Sequence, residues 1–132
     1  QGAEASFRVG DMLSAVEGPV DAIICNPPYL VDPQERGYRH GGGAYGGALS
    51  VRVLEEGLER LVPGGVLLLY TGSAVVEGHD PLREQLTTLC RSAGAEHHYE
   101  ELDPDVVGEE LEEAAYEGAD RIAAVGLRVR KP

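Results

Sequence analysis

Lysine and arginine are scarce in this chain: 11 of them stand against 23 aspartates and glutamates in 132 residues, for a net charge of -12. The shortage is uneven. Between Glu96 and Asp120 lie eleven acidic residues and no Lys or Arg. Gripping phosphates takes clustered Lys and Arg. This segment therefore has no face for tight, direct nucleic-acid binding, although a basic region elsewhere in a longer protein stays open. No run of about 18 apolar residues occurs, so no membrane span is expected. No basic-plus-apolar start reads as a signal peptide. There are only two cysteines, Cys25 and Cys90, both in apolar patterns rather than a spaced framework. They read as reduced core residues of a cytoplasmic protein. His79, His97 and His98 have no metal-ligand spacing with Cys or carboxylates and read as surface or edge residues, so no metal site is expected.

What is present is an ordinary apolar fraction, 42%, enough for one modest domain with one core. Strand and helix patterns alternate along it. Ala5 to Val9 reads as a short strand ending at Gly10-Asp11, and Met12 to Val16 as a helical turn or loop. Val20 to Cys25 is a nearly all-apolar run that suits a central strand buried on both faces. Ala48 to Val62 carries Val51, Leu54, Leu58, Leu61 and Val62 at helical spacing. Pro63-Gly64-Gly65 ends that helix, and Val66 to Tyr70 is a second apolar strand, which makes a βαβ unit. Asp80 is a good N-cap with Pro81 behind it, and Leu82, Leu86, Leu89 and Cys90 share a face, so 81–93 is a helix stopped by Gly94. Glu96 to Leu102 reads as an edge strand. Pro104 to Tyr116 is a short helix or an excursion, and Arg121 to Val129 a last strand. The class is α/β, with room for a terminal antiparallel pair at the sheet edge.

Two stretches stand out. Asp21 to Tyr29 reads Asp-Ala-Ile-Ile-Cys-Asn-Pro-Pro-Tyr. A buried strand that stops at two prolines has its carboxyl end fixed, and ligands of parallel α/β sheets sit at that end. The segment 30–47 is rich in glycine, with Tyr38, Arg39, His40 and Tyr45 interleaved. Loops of that length are usually functional or disordered, and this one reads as a mobile substrate-side loop with His40 as a weak contact candidate.

The stretch at Asn26-Pro27-Pro28-Tyr29 resembles the motif of S-adenosylmethionine (SAM)-dependent methyltransferases that act on a planar amino or amide nitrogen. These are the N6-adenine DNA and RNA methyltransferases and the glutamine-N5 methyltransferases of peptide release factors. Such a nitrogen is a poor nucleophile because its lone pair is delocalised. The Asn26 side-chain oxygen and the Pro27 carbonyl can accept the hydrogens of the NH2 and aim the lone pair at a methyl donor. The prolines keep the backbone rigid and donate no competing N–H. The Tyr29 ring offers a stacking face. The resemblance implies that Asn26, Pro27, Pro28 and Tyr29 are catalytic, and that Asp11 and Met12, with Asn26, contact the cofactor SAM, Asp11 accepting from the adenine amino group. Leu61-Val62-Pro63-Gly64-Gly65 also matches the family, in a structural role.

The resemblance implies a partial Rossmann-like methyltransferase sheet, strands three to seven of the family fold, mostly parallel with an antiparallel last strand. Residues 1–132 would be the C-terminal part of one catalytic domain. The first strand with its glycine-rich SAM loop, and the second with its acidic residue, have no counterpart here. Gly41 to Gly47 follows the catalytic motif and is not that loop. Without those strands the 20–25 strand has an open edge. The expectation is that residues 1–10 are re-paired or loosely held, or that two copies associate through that edge. The acidic charge tilts the substrate toward a protein glutamine or a small molecule. An N6-adenine nucleic-acid methyltransferase, or a non-catalytic fragment or interaction domain retaining the motif, remains the alternative. The chain by itself is expected to bind SAM weakly or not at all.

Overall fold

The structure, a computed structural model, describes residues 4–29, 41–106, 111 and 116–132. Four strands form one sheet: β1 (Val20–Cys25), β2 (Leu61–Val76), β3 (Glu96–Asp103) and β4 (Ala119–Arg130), in the order β1-β2-β4-β3. β1 and β2 are parallel, whereas β4 runs antiparallel to both β2 and β3. Three strands thus point one way and the last in sequence points the other. Between them run α1 (Ala48–Arg60) and α2 (Pro81–Ser92).

Local chemistry explains the helix ends. The Asp80 carboxylate accepts from the Arg83 N–H at 2.9 Å, and Pro81 opens α2. Gly94, at φ +68°, lets the chain turn out of α2, and the Ala95 N–H reaches back to the Cys90 carbonyl at 2.9 Å. Asp80 also accepts from the hydroxyls of Ser73 at 2.5 Å and Tyr99 at 2.6 Å, which ties α2 to β2 and β3. Helix α1 ends at Arg60, two residues before the apolar stripe predicts. Leu61 is already extended and pairs with Val20. Pro63-Gly64-Gly65 accordingly lies within the first part of β2, across the register shift against β1, with Lys131 bonded to Gly64 and Gly65. Arg60 reaches the carbonyls of Leu13, Val16 and Gly18 and so pins the turn before β1 to the end of α1.

Both helices pack on one face of the sheet. Val53, Leu54, Leu82, Leu86 and Cys90 meet Leu67, Leu69, Leu127 and Val129 there. Gly57 permits close approach, since a Cβ on it would stand 2.5 Å from Leu67 Cδ1. Ser50 and Thr71, buried between α1 and β2, share a 2.7 Å hydrogen bond, which removes the cost of burying two hydroxyls.

The opposite face differs from expectation. β1 is an edge strand half-buried on one side only, through Val20, Ile23 and Cys25, and Ile24 on its other side is 82% exposed. Leu68, Tyr70 and Leu102 continue the exposed apolar strip. An apolar run signals that a strand can be covered on both faces, but the covering layer must be in the chain. Nothing among the described residues covers this strip. Nearer the carboxyl ends of the strands the same face is closed by Tyr45, Val106, Leu111 and Tyr116 packed on Ala74 and Ile122. Val106, Leu111 and Tyr116, all beyond β3 in the chain, thus pack onto the sheet.

Ala5 to Val9 is not a strand. Residues 4–10 are exposed and irregular, with Phe7 95% and Val9 102% exposed. A strand needs a neighbour to take its N–H and C=O groups, and among the described residues no strand pairs with the outer edge of β1. The turn after it is formed, with the Ser14 N–H on the Asp11 carbonyl and the Val16 N–H on the Leu13 carbonyl, both at 3.0 Å. No helix among the described residues is long and apolar enough to cross a membrane.

Candidate active site

β1 pairs with β2 up to Cys25, opposite Leu69. The next residue, Asn26, is exposed, Pro27 is buried, and Pro28 and Tyr29 are half-buried. The prolines lack the N–H that a ladder requires, so the strand stops there. The motif thus stands at the carboxyl end of a parallel strand, as its sequence predicts.

The Tyr29 ring is seated on the backbone of β2. A Cβ on Gly72 would lie 2.3 Å from Tyr29 Cδ2 and 2.6 Å from Cε2, so only glycine leaves room for the ring. Burial pushes the Tyr29 phenol upward, with the nearby Tyr70 adding to the shift. Asn26 opens onto a shallow groove of about 390 Å³ on the bare sheet face, shared with Ile24, Leu68, Tyr70 and Leu102. Tyr45, Gly47, Gly72 and Pro81 line a recess of about 100 Å³ beyond it.

The described end of the glycine-rich segment packs against the motif. A Cβ on Gly41 would meet the Pro28 carbonyl at 2.6 Å and the Gly46 carbonyl at 1.8 Å. The N–H groups of Ala48 and Leu49 donate to the carbonyls of Gly42 and Gly41 at 3.0 Å, which carries the loop directly into α1. Tyr45, at the left-handed φ of +53°, donates its hydroxyl to the Glu117 carbonyl at 3.3 Å and packs on the Tyr116 ring at 6.1 Å. His40 and the rest of 30–40 lie outside the described residues.

Asp11 and Met12 sit in the turn that precedes β1. Met12, Leu13, Ile23, Ile24, Cys25 and Val53 line a small cavity of about 160 Å³ between the turn, β1 and α1, with Glu56 at its rim. The Asp11 carboxylate is held by both terminal nitrogens of Arg52, at 3.0 and 2.8 Å, and this keeps the carboxyl below its usual range. The structure therefore sets Met12 beside the carboxyl half of β1 and gives Asp11 a partner that sequence reasoning missed.

Gly72 and Arg52 were not singled out from the sequence. A glycine inside an apolar strand is a signal of close backbone approach, so Gly72 was findable. The pairing of Arg52 with Asp11 spans 41 positions and leaves no local signal. Cys25 and Cys90 are free, and burial pushes both thiols up, Cys90 to about 11. A depression of about 680 Å³ around Val66, Glu96, His98 and Arg130 lies at the amino end of β3, away from Asn26.

No protein-family model and no curated protein matches the chain. Solved structures do. A methyltransferase from Pyrococcus furiosus superposes with a TM-score of 0.53 at 24% identity, over 93% of this chain and 46% of that one. A candidate rRNA methylase from Clostridium thermocellum gives 0.47 at 15% identity, over 92% and 56% of the two chains. A candidate DNA modification methylase from Thermus thermophilus, complexed with S-adenosyl-L-methionine, gives 0.45 at 26%, over 92% and 51%. The chain spans about half the length of these proteins. Of these three, the first overlaps closely enough to speak to architecture, and what it shows is that this α/β chain shares the fold of about half of that protein.

Proposed function

We propose that this chain is the catalytic-motif part of a SAM-dependent N-methyltransferase acting on a planar amide or amino nitrogen. The observation that carries this reading is the position of Asn26-Pro27-Pro28-Tyr29 at the carboxyl end of β1, with Tyr29 seated on Gly72. When bound, SAM supplies an electrophilic methyl group on a positively charged sulfur. The chain's own residues handle the acceptor. The Asn26 side-chain oxygen and the Pro27 carbonyl accept the two hydrogens of the target NH2, and the Tyr29 ring stacks on its plane. The nitrogen lone pair is then directed in line at the methyl group. No base is needed before attack, because the proton is lost after the new bond forms. Orientation of this kind is worth roughly 7–11 kcal/mol at its upper limit.

The residues present fit the adenine end of SAM. Met12, Ile23 and Val53 offer an apolar slot of about 160 Å³, and Asp11, the chain neighbour of Met12, is an ionised acceptor held by Arg52. That volume is well short of the roughly 300 Å³ that a whole drug-sized ligand occupies, so the slot suits one flat ring. Asn26 borders the methyl-transfer end. The exposed acidic run along β3, including Glu96, Glu100, Glu101 and Asp103, supports a protein glutamine or a small molecule over duplex nucleic acid. The two apolar-lined free thiols support a cytoplasmic setting.

The test is methyl transfer by the intact protein to protein glutamine, small amides and nucleic acid, with and without Asn26→Ala. Transfer to glutamine or a small amide that Asn26→Ala abolishes is the expected result. Transfer to nucleic acid alone would overturn the substrate class. Wild-type rates in Asn26→Ala would remove Asn26 from the mechanism, and no transfer to any acceptor would favour a non-catalytic interaction domain.

A further inference from the structure

The turn that carries Asp11 and Met12 is clamped from α1 at two points. Arg52 donates two parallel hydrogen bonds to the Asp11 carboxylate, 3.0 Å to Oδ1 and 2.8 Å to Oδ2. One helical turn on, Glu56 accepts from the Leu13 backbone N–H through Oε2 at 3.3 Å, while its Oε1 accepts from Arg52 Nε at 2.9 Å. Arg52 and Glu56 are thus joined to each other, and each grips one flank of Met12. Met12 itself holds the left-handed φ of +56°, a conformation that a non-glycine side chain adopts at a cost and only when its surroundings hold it there. Its side chain lines the 160 Å³ cavity with Ile23, Cys25 and Val53.

We propose that Arg52 and Glu56 are positioning residues for purine recognition, holding the Asp11 acceptor and the Met12 side chain in register with the cavity beside β1. This deepens the methyltransferase reading above and rests on it. A fork of two N–H donors fixes both the place and the plane of a carboxylate. An ionised carboxylate has about four acceptor positions on its two oxygens, and Arg52 uses one on each. The side chain of Asp11 is 73% exposed, so the remaining positions are open to a ligand. Because the carboxylate has no hydrogen of its own, held opposite the 6-position it accepts from a 6-amino group and faces the lone pairs of a 6-oxo group, and the clamp keeps it from shifting to the N1–H that a 6-oxo purine carries. Lysine cannot reproduce the fork, since its ammonium is a single point of charge.

The experiment measures binding of S-adenosylhomocysteine and S-inosylhomocysteine to the intact protein by calorimetry, for the wild type, Arg52→Ala, Arg52→Lys and Glu56→Ala. The wild type is expected to prefer the amino compound. Arg52→Ala should weaken that compound by about tenfold and leave the oxo compound nearly unchanged, so that the preference collapses. Arg52→Lys should fall between the two, and Glu56→Ala should weaken both ligands through Met12. A mere loss of stability would lower both affinities together and leave their ratio intact. A wild type that discriminates, with both Arg52 variants keeping its ratio, would overturn the clamp and leave the methyltransferase reading standing. A wild type that binds neither compound would overturn both.

Discussion

The ring of Tyr29 occupies the space where a side chain at position 72 would begin, 2.3 Å from the ideal Cβ of Gly72. The aromatic residue of the motif is therefore held by the absence of a side chain on the neighbouring strand. Gly72→Ala must push the ring away or shift β2. Overpacking of this kind costs about 1–3 kcal/mol. A displacement near 1 Å at a positioning residue can lower a rate by about 100-fold. We expect Gly72→Ala to reduce kcat of the intact protein by that order, with a modest loss of stability. In a Tyr29→Ala background the same substitution should cost little stability, because the clash is gone. A double-mutant cycle with zero coupling would separate Gly72 from Tyr29.

Alkaline pH should weaken the fold through Cys90. Burial pushes this thiol from 9.0 to about 11 in the folded chain. Between those values the folded state keeps the proton and the unfolded state has lost it. The stability is thus complete below pH 9 and falls as pH rises toward 11. A shift of this size corresponds to about 2–3 kcal/mol. Urea midpoints measured at pH 8 and pH 10.5 should differ accordingly, and Cys90→Ala, although less stable throughout, should reduce that difference. An equal pH dependence in the variant would assign the loss to other groups, such as the buried phenol of Tyr99, which burial also shifts upward.

The β1 edge and the strip of Ile24, Leu68, Tyr70 and Leu102 should drive association when this chain is prepared alone. An unpaired edge next to exposed apolar side chains is a template for a second strand. Sedimentation of the 132-residue chain is expected to show concentration-dependent self-association. Ile24→Lys, which puts a charge on the outward face of the edge strand, should weaken it by about tenfold or more. Monomeric behaviour of the unmodified chain at high concentration would remove this surface as an interface.

The local features were legible because their causes are local. The stop of β1 follows from two adjacent prolines, and the start of α2 from an aspartate ahead of a proline. The end of α2 follows from Gly94, and the order of strands and helices from the spacing of apolar residues. The same information could not reveal that Val20–Cys25 would have one bare face. Apolarity reports what a strand can bury and says nothing about which layer arrives to cover it. Ala5–Val9 failed for a related reason, since its alternation is real but strand formation depends on a neighbour.

From the sequence alone came the α/β alternation, the acidic balance and the placement of Asn26-Pro27-Pro28-Tyr29 at a strand end, because each depends on residues near one another in the chain. Only the tertiary structure decided that Tyr29 rests on Gly72, that Arg52 and Glu56 grip the turn at Asp11–Leu13, and that both helices pack on the same side of the sheet. Those relationships join positions some forty residues apart, and each was decided by which surfaces had to be packed together.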